Sequence, residues 1–389
     1  MTSYLVIRDP ASCYGCRACE QICPQQAIVM KADSEGFVYP ELIEDKCIKC
    51  NLCSKVCPYD SPSSANMPIK AVAAQYKDRE VLLSSSSGGV FSALADYVIS
   101  NNGYVAGCVF DESFSAVHIL TEKKDLVERM RGSKYVQSDL KDIYSQIQAR
   151  LKEGATVLFT GTPCQVDGLR CFLRKEYDNL ITVDLICHGV PSQRLLDLYM
   201  KSVSEKQGEI SDIKFRDKRK NGWCSRGSIT CSNKTKTISP FNNSYYSYYY
   251  LQNAVSRMSC YSCKYSAATR AGDLTIGDYW NISDEFPDMD VSLGFSAVLV
   301  NTEKGGRIFA EISDNLNARE ASLESVVKGN GNLSAPSTMP ECRRYIYSQI
   351  SKEGYASVAK KYCKYQYVRP FIRKHMPKGL KRLLKKILR

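Results

Sequence analysis

Eight of the eighteen cysteines fall into two copies of one spacing, Cys-x2-Cys-x2-Cys-x3-Cys-Pro, within the first 58 residues of this 389-residue chain. The copies are Cys13, Cys16, Cys19, Cys23-Pro24 and Cys47, Cys50, Cys53, Cys57-Pro58. Runs of this kind hold paired [4Fe–4S] clusters, each run giving three thiolates to one cluster and its fourth cysteine to the other. The expected sets are Cys13, Cys16 and Cys19 with Cys57, and Cys47, Cys50 and Cys53 with Cys23. The exchange clamps two halves of a small lobe together and sets the clusters close enough to pass single electrons. Zinc takes four tetrahedral ligands, usually from two separated pairs, a poor match to three closely spaced thiols followed by Cys-Pro. A disulfide framework suits a short secreted chain, whereas Met1-Thr2-Ser3-Tyr4 runs straight into a strand-like Leu5-Val6-Ile7 with no leader pattern.

The chain is long enough for two or three domains. With 44% hydrophobic and 24% charged residues it has the composition of a soluble globular protein. No apolar run approaches the roughly 20 residues of a membrane span, and retained thiols with oxidisable clusters point to the reducing cytoplasm. The net charge of +12 is local. Between Lys360 and Arg389 stand twelve Lys and Arg and no Asp or Glu, which leaves 41 basic against 41 acidic residues before them. A basic nucleic-acid-binding body is therefore unsupported, and no nucleic-acid partner is expected.

A polar linker, Asp60–Asn66, closes the cysteine-rich region. Strands are expected over Ala71–Tyr76, Tyr104–Phe110, Ala116–Thr121, Ala155–Thr160 and Leu180–Ile186, then over Ile210–Phe215, Gly227–Cys231 and Ala297–Asn301. Helices are expected over Val90–Ile99, Leu140–Glu153, Gln165–Glu176 and near Gly306–Asn315. The strands around Gln165–Glu176 have βαβ spacing. The pattern reads as an α+β or mixed α/β body over roughly 67–330. Tyr245–Tyr250 is aromatic-rich but too short to be low complexity.

Four further cysteines stand in unusual contexts: Thr162-Pro163-Cys164-Gln165, Ile186-Cys187-His188-Gly189 and Cys260-Tyr261-Ser262-Cys263. Cys164 and Cys187 each follow an expected strand, where side chains converge on sites. On the residues alone two readings stand, a four-thiolate cage and a scatter of small buried cysteines. Cys108, Cys171, Cys224, Cys231, Cys342 and Cys363 read as structural.

Several ordered motifs carry a resemblance. They are Ser86-Ser87-Gly88-Gly89-Val90-Phe91-Ser92, Gly132-Ser133-Lys134-Tyr135, Gly161-Thr162-Pro163-Cys164-Gln165, Cys187-His188-Gly189-Val190-Pro191-Ser192, Phe215-Arg216-Asp217, Cys260-x2-Cys263, and Gly272-Asp273-Leu274-Thr275-Ile276-Gly277-Asp278-Tyr279-Trp280. From about residue 1 to 325 the chain resembles the coenzyme F-420 hydrogenase/dehydrogenase beta-subunit family, in the form with an N-terminal bacterial-type 2[4Fe–4S] ferredoxin domain. The resemblance implies an α+β chain with a dicluster ferredoxin fold over 1–60 and a flavin-binding mixed α/β body in two parts, 67–150 and 151–330; beyond the resemblance, a helical basic tail is expected over 331–389. It implies FAD and a third [4Fe–4S] cluster, with Cys164, Cys187, Cys260 and Cys263 as its ligands. Family members serve different partners, including a deazaflavin coenzyme, so electron transfer carries over better than substrate.

A flavin converts between single electrons and the electron pairs of most metabolites. Ser87-Gly88-Gly89 at a helix start could receive its phosphates, since glycine allows close approach and free helix N–H groups favour anions; ordinary capping explains the same residues. No Gly-x-Gly-x-x-Gly or Walker pattern is present, which speaks against a nicotinamide Rossmann site. Lys134 could place a positive charge beside a reduced flavin or substrate, or be a surface lysine. His188 could donate a proton or tune a cluster, or be a satisfied core histidine. Asp273 and Asp278 are either turn formers or cofactor contacts.

In the tail, Leu380, Leu383, Leu384, Ile387 and Leu388 recur at helical spacing opposite Lys381, Arg382, Lys385, Lys386 and Arg389. Such a helix suits an anionic membrane surface; packing on the body or a partner is the alternative. The combined expectation is a cytoplasmic iron–sulfur flavoenzyme, peripheral on the inner membrane face. It would pass electrons between clusters, FAD and an organic substrate, small or lipid-linked as in envelope precursors, or a carrier such as ferredoxin or deazaflavin. The alternative is a non-catalytic relay subunit of a larger hydrogenase or dehydrogenase.

Overall fold

The computed structural model describes residues 9–232, 234–238 and 243–362. In the N-terminal lobe the two cysteine runs take the same backbone path. Gly15 (φ 69°) and Lys49 (φ 57°) each follow the first cysteine of a run by two residues, and Arg17 (φ 60°) and Asn51 (φ 58°) each follow the second by one. All four are left-handed, which costs an ordinary L-residue roughly 1–2 kcal/mol. Its recurrence at matching places marks a duplicated loop shaped around its cysteines. The short helices Ala18–Gln21 and Leu52–Lys55 follow. Between the runs lies an antiparallel hairpin of β1 (Ile28–Ala32) and β2 (Val38–Leu42), with Ile28 opposite Leu42.

The body contains β3 (Lys70–Tyr76), β4 (Tyr104–Phe110), β5 (Ala116–Thr121), β6 (Val157–Gly161), β7 (Leu180–Leu185), β8 (Ile210–Lys214), β9 (Gly227–Cys231), β10 (Lys234–Ile238), β11 (Leu274–Asp278), β12 (Ser296–Val300) and β13 (Leu316–Ala321). Eight of these form one sheet in the order β13-β3-β12-β11-β7-β6-β4-β5. Its centre, β4, β6, β7 and β11, is parallel; β5, β12, β3 and β13 pair antiparallel. The segments 67–150 and 151–330 therefore share a single sheet. Its side chains alternate between its two faces. Val72, Val105, Leu158, Val183 and Val298 face helices Val90–Ser100 and Glu303–Ile312. Ala106, Val157, Phe159 and Leu180 face helices Ile143–Lys152 and Pro163–Leu173. A parallel sheet needs both faces covered in this way, because its crossovers lie on its faces.

Cys16, Ala18 and Val56 belong to the same core as Phe159 and Leu180, so the N-terminal lobe is built into the body. The expected linker is also strapped down. Ser63 N–H donates to Asp167 at 3.0 Å and Arg170 donates to the Ser64 carbonyl at 3.0 Å.

A separate core gathers helix Gln193–Gln207, the antiparallel sheet β10-β9-β8 and the tyrosine-rich π-helix Ser244–Tyr250, together with helices Ile346–Glu353 and Tyr355–Tyr362. Ile346, Ile350 and Val358 are buried in it. Residues 331–362, expected as part of the tail, thus continue the body. The leucine-striped basic segment, Cys363 and the Leu5–Ile7 strand lie outside the described residues. Among the described residues no helix is long and apolar enough to cross a membrane.

Candidate functional site

Cys164 and Cys187 leave adjacent parallel strands. After β6, Thr162 opens helix Pro163–Leu173 through a capping box with Gln165, setting Cys164 in the first turn. Its Sγ lies 3.2 Å from Thr162 Oγ1. After β7, the Gly189 N–H donates to Cys187 Sγ at 3.4 Å. Both thus stand at the carboxyl end of the parallel strands, where open α/β sheets bind ligands. Cys260 lies in the 3₁₀ turn Met258–Ser262, and Cys263 caps it. At Gly189 (φ 106°) a Cβ would lie 2.8 Å from Ser256 Oγ and 3.3 Å from the Cys260 Cβ, so glycine lets the two loops close.

All four cysteines line one cavity of about 590 Å³. Burial pushes the Cys187 thiol up to about 11, Cys260 to about 12 and Cys164 well above its ordinary value, with neighbouring cysteines adding to each. Bare thiolates are disfavoured here, and a cationic metal core among them would remove that penalty. Among the described residues no three His, Cys, Asp or Glu converge tightly enough for a single ion. A cubane takes one thiolate on each of its irons, and a donor set of four cysteines suits such a cluster.

The N-terminal cysteines divide by burial. Cys13, Cys16, Cys19 and Cys57 are buried, Cys23, Cys47 and Cys53 half-buried, and Cys50 exposed. Cys23 shares one small pocket with Cys47, Cys50 and Cys53, although it comes from the other run. Backbone N–H groups of Gly15 and Ala27 donate to the sulfurs of Cys13 and Cys23 at 3.3 and 3.4 Å. The buried set meets the body directly. Arg257 Nε and Ser259 Oγ donate to the Cys13 carbonyl at 2.6 and 3.0 Å. Tyr14 lines the cavity, and burial, with Cys263 and Cys164 adding, pushes its phenol far above the usual tyrosine value.

Of the other expected site residues, Ser87, Gly89, Lys134, His188 and Asp278 line the same cavity; Gly88 and Asp273 do not. A Cβ on Gly88 would come within 2.1 Å of the Ala74 carbonyl and 2.4 Å of Ser296 N. Packing on β3 and β12, not cofactor approach, demands glycine there. Asp273 is buried and its carboxylate accepts from Thr182 N and Oγ1 and Thr302 Oγ1 while pairing with Lys304. It ties strands together, which corrects the expected cofactor contact. Ser87 Oγ donates to Phe295 O at 2.9 Å, and Gly89 (φ 80°) begins helix Val90–Ser100. Asp278 pairs with Arg216 and accepts from Trp223 Nε1 at 2.9 Å.

Lys134 is no surface lysine. Its ammonium donates to the carbonyls of Arg129, Met130 and Arg131 at 2.8, 3.0 and 3.0 Å, capping helix Lys124–Met130, and burial pushes its pKa down to about 8. His188 stands exposed at the cavity mouth, yet the walls around it lower its pKa against the pull of Asp278 and Asn332.

Sequence reasoning missed the cavity's aromatic wall. Tyr246 and Tyr250 stack at 5.7 Å, with Tyr135 tilted against them at 4.6 and 4.8 Å. Their four-residue spacing inside the tyrosine run was the available signal. It also missed His118, whose Nε2 meets the Thr160 carbonyl at 3.0 Å and whose pKa burial lowers to about 4. The chain's two tryptophans, Trp223 and Trp280, stack at 4.8 Å, Trp280 on the cavity lining. Near Ser87, the Ser133 N–H donates to Ser86 Oγ at 2.8 Å beside Arg131, a polar corner suited to an anion.

Residues 154–325 match the family described as the C terminus of the coenzyme F420 hydrogenase/dehydrogenase beta subunit, and residues 12–61 match the 4Fe-4S dicluster domain. The likeness to the F420 hydrogenase/dehydrogenase beta-subunit family is thus shown for that part of the body. This region follows a lobe that matches a domain holding two [4Fe–4S] clusters, and the chain is an iron–sulfur electron-transfer protein of oxidoreductase type. Among solved structures, a chain of the xenon-derivatised F420-reducing [NiFe] hydrogenase complex from Methanosarcina barkeri is 18% identical to this chain. The match covers 76% of this chain and 91% of that one, with a TM-score of 0.45. No curated protein matches.

Proposed function

We propose that the chain is an iron–sulfur flavoenzyme that exchanges electrons between the N-terminal clusters, a third [4Fe–4S] cluster on Cys164, Cys187, Cys260 and Cys263, and FAD in the adjoining cavity. The observation that carries this reading is a shared wall. The body's four cysteines line one part of the cavity whose remainder combines an aromatic face with a serine- and arginine-bearing corner. Bound there, the cluster would supply single-electron exchange and the flavin would pair electrons for an organic substrate or carrier. Tyr135, Tyr246 and Tyr250 would stack against a planar ring. Ser86, Ser133 and Arg131 would hold phosphate, and the Gly89 turn would present its helix N–H groups. His188 at the mouth would move a proton to or from substrate.

Exposure of Cys50 supports the outer N-terminal set as the contact with a one-electron carrier such as a ferredoxin, and a deazaflavin is one candidate for the two-electron partner. Either direction of flow is compatible with cluster chemistry. The cationic, leucine-striped segment beyond Leu380 supports a seat on an anionic membrane and with it a lipid-linked substrate. Equal binding to anionic liposomes with and without residues 370–389 would remove that part.

Anaerobic purification with iron, sulfide and flavin quantification tests the reading. About twelve irons and one FAD per chain are expected, with about four irons lost in Cys164→Ala. About eight irons and no flavin would make the chain a relay between other proteins.

A further inference from the structure

Four arginines of the described residues are buried: Arg216, Arg257, Arg270 and Arg343. Three have a carboxylate partner, Asp278 for Arg216, Asp184 for Arg270 and Glu35 for Arg343. Arg257, 1% exposed, has none among the described residues. Its Nε donates to the Cys13 carbonyl at 2.6 Å, one terminal nitrogen to the Val38 carbonyl at 2.8 Å and the other to the Gln137 side chain at 3.1 Å. The guanidinium lies 4.1 Å from the Tyr39 ring centre. Carbonyls, an amide and a ring face solvate a cation but do not neutralise it, and a buried charge without a counter-charge is strongly unfavourable.

The position of Arg257 points to the missing anion. On one side it grips Cys13, and Gly15 of the same run lies so near that a Cβ there would be 3.0 Å from the guanidinium. On the other side the Arg257 carbonyl accepts from the Cys260 N–H at 2.9 Å, and its N–H donates to the Val190 carbonyl at 3.0 Å. The residue therefore stands between a cysteine of the inner N-terminal set and a cysteine of the body's set. A [4Fe–4S] cluster with four thiolates is an anion, and it gains one more negative charge on reduction.

We propose that Arg257 is a potential-setting residue whose counter-charge is the pair of clusters on either side of the seam, so that its field favours an electron residing there. The half that concerns Cys260 rests on the third-cluster reading above; the half that concerns Cys13 rests on the dicluster lobe alone. The step is a one-electron reduction of a cluster, with no bond made or broken and no proton moved. Net charge and hydrogen bonding near the sulfurs are the established levers on cluster potential. The outer set, with Cys50 exposed, is the internal control, because solvent and salt screen it from a charge at the seam.

The test is a mediated dithionite titration of the full anaerobic chain, followed by electron paramagnetic resonance, with the outer cluster's signal assigned through Cys50→Ser. Arg257→Gln should move the inner cluster's midpoint to a more negative potential and leave the outer one in place; Arg257→Lys should keep the wild-type value. Gln137→Glu provides a second route. It sets a carboxylate against the intact guanidinium and should give the same negative shift even where Arg257→Gln fails to fold. An unchanged inner midpoint in Gln137→Glu, or equal shifts of inner and outer clusters in either variant, overturns the proposal. Iron sufficient for only two clusters would instead overturn the third-cluster reading, and the shift at the Cys13 side would still be measured.

Discussion

The two N-terminal cysteine sets repeat one motif and one backbone conformation, yet they sit in opposite surroundings. The inner set, Cys13, Cys16, Cys19 and Cys57, is buried against the helix that carries Cys164. The outer set, Cys23, Cys47, Cys50 and Cys53, shares a small pocket edged by solvent-exposed Ile48, Lys49 and Cys50. Duplication supplies two equal ligand frames, and docking then makes them unequal. Hydrogen bonding, burial and nearby charge are what separate the potentials of otherwise similar clusters, so the body gives the lobe its polarity. One set lies open to solvent and the other lies against the body.

The comparison breaks hardest if the body's bracing is removed. Asp184, fully buried, accepts from Arg270 at 2.7 Å, from Gly272 N at 2.8 Å and from Thr275 Oγ1 at 2.8 Å. Arg270 in turn holds the carbonyls of Tyr265 and Leu185, bridging the Cys263 segment to the strand before Cys187. Deleting one partner of a buried pair leaves the other charge uncompensated. Asp184→Ala should therefore cost about 3–5 kcal/mol in anaerobic denaturation. Iron should be lost from the body's set before the outer set. Loss in the reverse order would show that the outer lobe depends on the body more than the inner seam does.

Acid should separate the lobes next. His118, the buried histidine of the body, has its pKa lowered to about 4 from 6.5, chiefly by burial. Between these values the unfolded chain binds the extra proton and the folded chain resists it. Stability is thus fully present above about pH 6.5 and falls as pH drops toward 4, by roughly 3 kcal/mol for a shift of this size. His118→Gln should flatten that slope in a denaturation series across the window. An unchanged slope would show that His118 does not carry the acid sensitivity and leave it to other groups, among them His188, whose pKa is also lowered by burial.

How much of this arrangement was legible follows a physical line. Spacing exposes groups that act as sets, so both cysteine runs and the motifs bearing Cys164 and Cys187 stood out. Buried strands β4 and β5 showed their bounds because alternation and β-branched residues mark them. Edge strands with little burial did not: β13 buries only Leu316 and β10 only Ile238, and neither is among the strands expected from the sequence. Helix Gln193–Gln207 went unread although Leu195, Leu196, Tyr199, Met200 and Val203 form its buried stripe. Gly88 and Asp273 sit in motifs that suggest a cofactor, but close packing and strand ties use them. Arg257 could not be found at all, since an isolated arginine in sequence looks like surface and only the fold buries it.

A smaller effect is expected where the inner set touches the body. A Cβ at Gly168 would lie 3.0 Å from the Cys16 Cβ, 3.1 Å from its sulfur and 2.8 Å from the Tyr144 hydroxyl. That hydroxyl is fixed by its bond to the Gln165 carbonyl at 2.7 Å. Overpacking a tight core costs typically 1–3 kcal/mol, while alanine gains up to about 1 kcal/mol over glycine inside a helix. Gly168→Ala should therefore destabilise by about 1 kcal/mol net and loosen the inner cluster, seen as faster loss of one cluster's iron to a chelator. Stabilisation would mean that the seam is slack enough to accept a methyl group.

The smallest effect belongs to the outer face. Ile48 lies next to Cys47 and is 61% exposed, so it gives little burial to lose, and threonine keeps its β-branched backbone preference. Ile48→Thr should change stability by less than about 0.5 kcal/mol, the usual range for surface positions, and leave iron content unchanged. The inner face offers no comparably neutral position, because its cysteines contact helix Pro163–Leu173, Arg257 and Ser259 at once. Iron loss in Ile48→Thr would mean that the outer cluster relies on apolar cover as the inner one does, and the two sets would then differ in neighbours but not in exposure to change.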